Sequence, residues 1–289
     1  MLWFRSPTTR LVFIRSLKYF WNLNMDSQKL VIAIMLAGMS SRFGGSPKAL
    51  AIVAGNKTLL DVSMTQAATC DPYRFILIVR KENEALFRGA VGRCPIPVDF
   101  AFQEFDPSRR KKPFGTTEAV CAALSLVDET ERVVVINGDD LYGESSFRLL
   151  RDLWKHYEDG IIGVCPMSAV VPFDRKVNRG MVRIDGARVI GVEEWMGVER
   201  CTPGVDTALA SVNLIGIGAR LARAIRSDLE TTRAVYYDDP ARECMLTESI
   251  DRALHSDPSL RIGWFSLKER IMGITHPGDE KELRRALVR

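Results

Sequence analysis

Only three histidines occur among the 289 residues, and none of the six cysteines belongs to a C-x-x-C pair or stands at metal-sharing distance from a histidine. A structural zinc centre and a disulfide scaffold are therefore excluded as organising devices. Cysteines 70, 94, 121, 165, 201 and 244 read instead as small apolar residues of a protein kept in a reducing compartment, expected to be the cytoplasm. No run is long and apolar enough to cross a bilayer. Internal repeats, low-complexity tracts and long linkers are missing too. Neither the Gly-Lys-Ser/Thr ending of a P-loop nor a G-x-G-x-x-G turn occurs. Acids are absent before Asp26, and Arg5, Arg10, Arg15 and Lys18 account for the whole formal net charge of +4. The rest of the chain is electrically balanced, so charge gives no reason to expect nucleic acid as a partner.

What is present is the composition of an ordinary globular protein, 46% hydrophobic and 26% charged. The first 24 residues are basic and aromatic, and are expected to lie ahead of a true start at Met25, with a targeting presequence or a membrane-surface helix as the alternative. Residues 25–289 are expected to form one large domain. "KLVIAIMLA", "RFILIVR", "RVVVING" and "GIIGVCPM" are continuous apolar runs of strand length. Strands apolar on both faces belong in a sheet covered on both sides. Between them, helical patterns start at Thr58, Thr116 and Ser145. Alternating strand and helix predicts an α/β fold with a doubly wound, mostly parallel sheet, whose ligands bind beyond the carboxyl ends of the strands. After about residue 165, "GMVRIDGARVIGVEEW" predicts a hairpin around Asp185-Gly186, and "LASVNLIGI" a further strand. Helices at "ARLARAIRSDL" and "TESIDRALHS", a strand "LRIGWFSL" and a last helix "GDEKELRRALV" follow, as an elaboration of the first half.

The stretch "MLAGMSSRFGGSPKAL", residues 35–50, leaves the first strand with small residues and two cations. Backbone N–H groups can approach an anion closely only where side chains are small, as at Gly38, Ser40, Ser41, Gly44 and Gly45. Arg42 adds a planar fork of donors, and Lys48, following Pro47, adds a compact point charge. The stretch reads as a cradle for phosphates.

It also resembles the signature of nucleotidyltransferases that build nucleotide-sugars, L-A-A-G-x-G-S-R-x-x-x-x-P-K, through Ala37, Gly38, Ser41, Arg42, Pro47 and Lys48. Leu36 stands where the pattern has alanine, and Ser40 where it has its second glycine. "KPFGTTEAV" at 112–120 is similar to the family's K-P-x-G-T-x-x-A-V, and "VVVINGDDLYG" at 133–143 to N-A-D-D-F-Y-G of its uridylyltransferase-like branch. "GMVRIDGARVIGVEEW", "ASVNLIGI" and "IMGITHPGDEKELRRAL" resemble, in the same order, the sugar-binding glycine and glutamate, the sugar-binding asparagine and the closing segment.

The resemblance implies a Rossmann-like, GT-A-like fold with a small sugar-binding hairpin. It implies transfer of a nucleoside monophosphate from an NTP to a sugar-1-phosphate, with pyrophosphate released and Mg²⁺ as cofactor. Leu36, Ala37, Gly38, Ser40, Ser41, Gly115, Thr116 and Asp139 would bind nucleotide; Arg42, Lys48 and Asp139 would be catalytic, and Asp139 would hold the metal. Two dianions must be brought together, so positioning and charge neutralisation carry the chemistry and the nucleophile needs no general base. Asp140 is expected to cap a helix while Asp139 takes the metal, and a second ligand is expected from Thr275, His276 or Asp279. Gly180, Glu194 and Asn213 are carried over as sugar-binding residues, with Glu193 competing with Glu194 because neighbours on a strand face opposite ways. Gln103 has hydrogen-bonding groups suited to a base, and "SRRKKP" either helps hold phosphates or is a solvated loop. A phosphocholine-, molybdopterin- or methylerythritol-phosphate-like acceptor, or a non-catalytic nucleotide-binding regulator, are the other readings. The base itself is not legible.

Overall fold

A computed structural model describes residues 29–39, 47–274 and 278–287. The expectations placed on residues 1–24 and on Ser40, Ser41, Arg42, Thr275 and His276 fall outside them. The first half runs β1 (Leu30–Met35), a small hairpin β2 (Ile52–Ala54) and β3 (Lys57–Thr58), α1 (Leu59–Ala67), β4 (Arg74–Val79), α2 (Glu84–Val91) and β5 (Val98–Phe102). It continues through α3 (Thr116–Leu124), β6 (Arg132–Asn137), β7 (Asp140–Leu141), α4 (Glu144–Trp154) and β8 (Gly160–Pro166). The second half brings α5 (Met167–Val170), β9 (Val177–Asp185), β10 (Arg188–Val198), β11 (Leu209–Ile217), α6 (Ala219–Tyr236) and α7 (Leu246–Ser256). β12 (Ile262–Ser266), β13 (Met272–Gly273) and α8 (Asp279–Leu287) complete it.

Nine strands form one sheet in the order β5-β4-β1-β6-β11-β8-β12-β10-β9. From β5 to β6 the pairings are all parallel. The alternation expected of a strand buried on both faces is visible in β1: Ile32 and Ile34 join one apolar layer with Leu60 and Met64 of α1 and Phe147 of α4, while Val31 and Ala33 join the other with Val120 of α3 and Ile225 of α6. Both layers bury these side chains, at roughly 1.5–3 kcal/mol for each large aliphatic. Thr58 starts α1 through a reciprocal capping box: its hydroxyl accepts from the Asp61 N–H at 3.1 Å, and its own N–H donates to the Asp61 carboxylate at 2.8 Å.

β11 enters antiparallel between β6 and β8, which breaks the parallel run and permits the hairpin elaboration. β9 and β10 fold back around Asp185-Gly186, with Gly186 at φ 54° supplying the left-handed turn residue. β9 also pairs with β11, Ala210 opposite Met181, so that β8, β12, β10, β9 and β11 make a closed circuit of pairings. The described residues hold no helix long and apolar enough to cross a membrane.

Candidate active site

The carboxyl ends of β1 and β6 lie side by side, in parallel register from Leu30↔Arg132 to Met35↔Asn137. Beyond that register Leu36 donates its N–H to Ile78 of β4 at 2.8 Å, and Gly138 donates to Met35 at 3.0 Å. Leu36 and Ala37 are buried where the chain leaves β1, and Gly38 meets open space. The Leu36 side chain occupies the volume that a Cβ at position 138 would need, 2.2 Å from its Cδ2. Leucine in place of the pattern's alanine is thus matched by glycine in place of the alanine of N-A-D-D.

Lys48 opens a single turn of 3₁₀ helix, Lys48–Leu50, after the extended Pro47. Its ammonium forms an ion pair with the Asp139 carboxylate, 91 positions further along the chain. The two strand ends therefore converge on one point, and both side chains remain partly exposed, at 22% and 34%. The acidic turn is held from several sides. Ile274 donates its N–H to the Asp139 carbonyl at 2.9 Å, Gly273 of β13 pairs with Asp140 of β7, and Gln66 of α1 accepts from the N–H groups of Tyr142 and Gly143. Asp140 does not cap α4: it opens β7, its carboxylate accepts from Asn137 Nδ2 at 2.8 Å, and α4 begins after Gly143. Burial first and the neighbouring Asp139 charge second push the Asp140 carboxyl up to about 7.

The three sugar-site candidates fall into two clusters. Asn213 sits in a bulge of β11 at φ 57° and donates to Asn137 Oδ1 at 3.4 Å, at the end of β6. Gly180 and Glu194 are cross-strand partners. Glu194 Oε2 accepts from the Thr247 hydroxyl at 2.9 Å, and burial raises its carboxyl above the usual range. A side chain at Gly180 would come within 2.6 Å of Thr247 Cγ2, so the glycine lets α7 approach the strand. Glu193 instead pairs with Arg183 at 2.8 Å and is exposed, which separates the two adjacent glutamates. Sequence reasoning missed Thr247, whose link to Glu194 spans 53 positions.

Gly115 and Thr116 meet the distant linker between α6 and α7. At φ 125° a Cβ on Gly115 would lie 2.5 Å from the Cys244 carbonyl, Thr117 donates to that carbonyl at 3.0 Å, and the Thr116 hydroxyl accepts the Leu246 N–H at 2.8 Å. Gln103 is buried and spends its amide donor on the Gly115 carbonyl at 2.8 Å and on Glu118 at 3.1 Å. The "SRRKKP" segment is an exposed loop except at Arg110. Arg110 is 2% exposed and donates to the carbonyls of Tyr237, Asp239 and Arg242 at 2.6–2.9 Å, with Phe114 and Tyr237 rings against its guanidinium. Arg109 and Lys112 pair with Asp238 and Glu243.

Among the described residues no three His, Cys, Asp or Glu side chains gather to hold a metal. A hard cation that takes most of its shell from phosphates and water needs only one or two carboxylates, and the partly exposed Asp139 oxygens meet that requirement. Asp279 opens α8, which packs Leu283 against Val53, Leu141 and Ile274.

Proteins of known class share this architecture. The inositol-1-phosphate CTP transferase of T. maritima superposes with a TM-score of 0.64 at 13% identity, over 90% of this chain and 96% of its own. The nucleoside-diphosphate-sugar pyrophosphorylase of Vibrio cholerae gives 0.61 at 20% identity, over 89% and 99%. The bifunctional protein GlmU of Cupriavidus metallidurans is 38% identical over 109 residues, 37% of this chain. GlmU of Buchnera aphidicola is 27% identical over 116 residues, 40% of this chain. The matched stretch spans 22–23% of the length of these curated relatives. The sequence profile of the MobA-like NTP transferase domain matches residues 32–176, half of the chain, from β1 through the Lys48–Asp139 pair to the start of β9. With fold, site and profile in agreement, the chain belongs to the MobA-like NTP transferase domain family.

Proposed function

We propose that the protein transfers a nucleoside monophosphate from an NTP to a sugar-1-phosphate, giving a nucleotide-sugar and pyrophosphate. The observation that carries this reading is the Lys48–Asp139 ion pair, which puts a phosphate-binding cation and a carboxylate at the tips of two adjacent parallel strands. In the reaction an oxygen of the acceptor phosphate forms a bond to the α-phosphorus, the bond from that phosphorus to the bridging oxygen of the β-phosphate breaks, and pyrophosphate leaves with the electron pair. Lys48 neutralises charge on the crowded phosphates and the leaving group, and Arg42 is proposed to do so from the cradle. Ala37 and Gly38, with Ser40 and Ser41, would offer backbone donors to the triphosphate. The Asp139 carboxylate would hold Mg²⁺, which when bound supplies further charge neutralisation at the phosphates.

A sugar is favoured over other phosphorylated acceptors because Glu194, Thr247 and Asn213 offer donors and acceptors suited to hydroxyl groups. Free cysteines throughout the described residues support a place in a reducing cytoplasm, in nucleotide-sugar biosynthesis. The test is a thermal-shift screen of NTPs with Mg²⁺, then of sugar phosphates with the best nucleotide, followed by a pyrophosphate-release assay. Release that needs both substrates and Mg²⁺ and disappears in Asp139→Asn is the expected result. Nucleotide binding without release from any pair would make the protein a nucleotide-binding regulator instead.

A further inference from the structure

We infer that Arg179 is the receptor for the acceptor's phosphate, and so a substrate-binding residue outside the strand tips that hold the nucleotide. The inference rests on the function proposed above and names one contact within it. β11 shows where Arg179 stands. Its Ala210 pairs with Met181 of β9, and five positions on its Ile215 pairs with Val135 of β6. Its opposite edge is taken by β8, at Cys165 beside Ala210 and Ile162 beside Ile215. β9 and β6 therefore approach one edge of β11 from opposite ends and leave a short gap, in which the bulge carries Asn213 toward Asn137. Arg179 lies two residues before Met181, on the side of that gap, opposite Trp195 and directly beside the Gly180–Glu194 pair.

Its chemistry fits the place. The guanidinium is half-buried and donates to two backbone carbonyls, Asn178 at 3.0 Å and Val170 at 3.2 Å. No carboxylate pairs with it among the described residues, unlike Arg183 four positions on, which pairs with Glu193. A guanidinium carries five N–H donors, so three remain for a ligand, in the planar geometry that suits two phosphate oxygens. The gap it borders opens at the end of β6, where Asn213 meets Asn137 just before the turn that carries Asp139. An anion held in that gap would lie beside the end of β6, next to the turn that carries Asp139, where the nucleophilic phosphate must meet the nucleotide.

The experiment uses the full chain with Arg179→Gln and Arg179→Lys, first measuring glucose-1-phosphate and inositol-1-phosphate binding by calorimetry in the presence of saturating NTP and Mg²⁺, then turnover. The Gln variant should keep the wild-type melting temperature and nucleotide affinity while the sugar-phosphate Kd and KM rise at least about tenfold, with a smaller rise in the Lys variant, which keeps charge but loses the fork. Glucose without its phosphate should bind both proteins equally weakly. A folded Gln variant with unchanged sugar-phosphate Kd and KM overturns the assignment. A wild-type protein that binds both ligands but releases no pyrophosphate defeats the proposed function instead, and the binding comparison still decides the role of Arg179.

Discussion

Leu36 and Gly138 are shaped for each other: the leucine side chain at the end of β1 fills the space a Cβ would take at the end of β6. Neither residue follows the alanine of the resembling motifs, and the two departures compensate. Gly138→Ala should cost about 1–3 kcal/mol by overpacking. Adding Leu36→Ala to that variant should return part of the loss, since the Met35 carbonyl, 2.7 Å from the same Cβ position, still crowds it. Urea unfolding of the two single variants and the double variant gives the coupling, expected at about 0.5–3 kcal/mol. Strict additivity would show that the two sites do not communicate.

Asp139 should separate catalysis from stability. Its ion pair with Lys48 is partly solvated on both sides, and such pairs contribute about 0–1 kcal/mol. Asp139→Asn should therefore melt within a few degrees of the wild type while pyrophosphate release falls at least about a hundredfold, the scale on which loss of a charge-stabilising group slows catalysis. A variant that loses activity and fold together would assign Asp139 a structural role.

Much of this architecture was legible because buried strands leave a blunt signal. Runs such as "LVIAIM" and "RVVVIN" have no polar face to hide, and the Asp185-Gly186 turn between alternating strands has few other uses. α2 and β5 leave a weaker signal: at the sheet edge β5 has only the short alternation Val98, Phe100, Phe102, all half-buried, and α2 buries only Phe87 fully. At the site, local motifs single out Lys48 and Asp139, which the fold brings into an ion pair. Arg110 was hidden in a charge run because its partners are backbone carbonyls more than 120 positions away, which no side-chain pattern records. The clasp of Gly115 and Thr116 on Cys244 and Leu246 is equally remote in sequence.

Glu194 should make stability depend on pH. Burial raises its carboxyl above the usual glutamate value, against the opposing hydrogen bond from Thr247. A carboxyl raised in the folded state contributes stability that is complete below its unfolded value, near 4.3, and is lost as pH rises through the folded value. The melting temperature of the wild type relative to Glu194→Gln should therefore be highest near pH 4 and fall by pH 7, by a few degrees for each roughly 1 kcal/mol lost. Parallel melting curves for the two proteins across that range would mean the carboxylate is solvated.

Arg110 carries the heaviest structural prediction. Its buried fork satisfies the carbonyls of Tyr237, Asp239 and Arg242, and so ties the loop before Gly115 to the linker between α6 and α7. Arg110→Met keeps much of the volume but leaves those acceptors without a donor, at about 1–3 kcal/mol for each one that water cannot reach. Arg110→Lys can reach fewer of them, because a single ammonium lacks the planar fork. Urea midpoints should fall in the order wild type, Lys, Met. Nucleotide thermal shifts should shrink in the same order, because Gly115 and Gln103 are positioned through this loop. A Met variant as stable as the wild type would mean that the linker holds its place without the arginine.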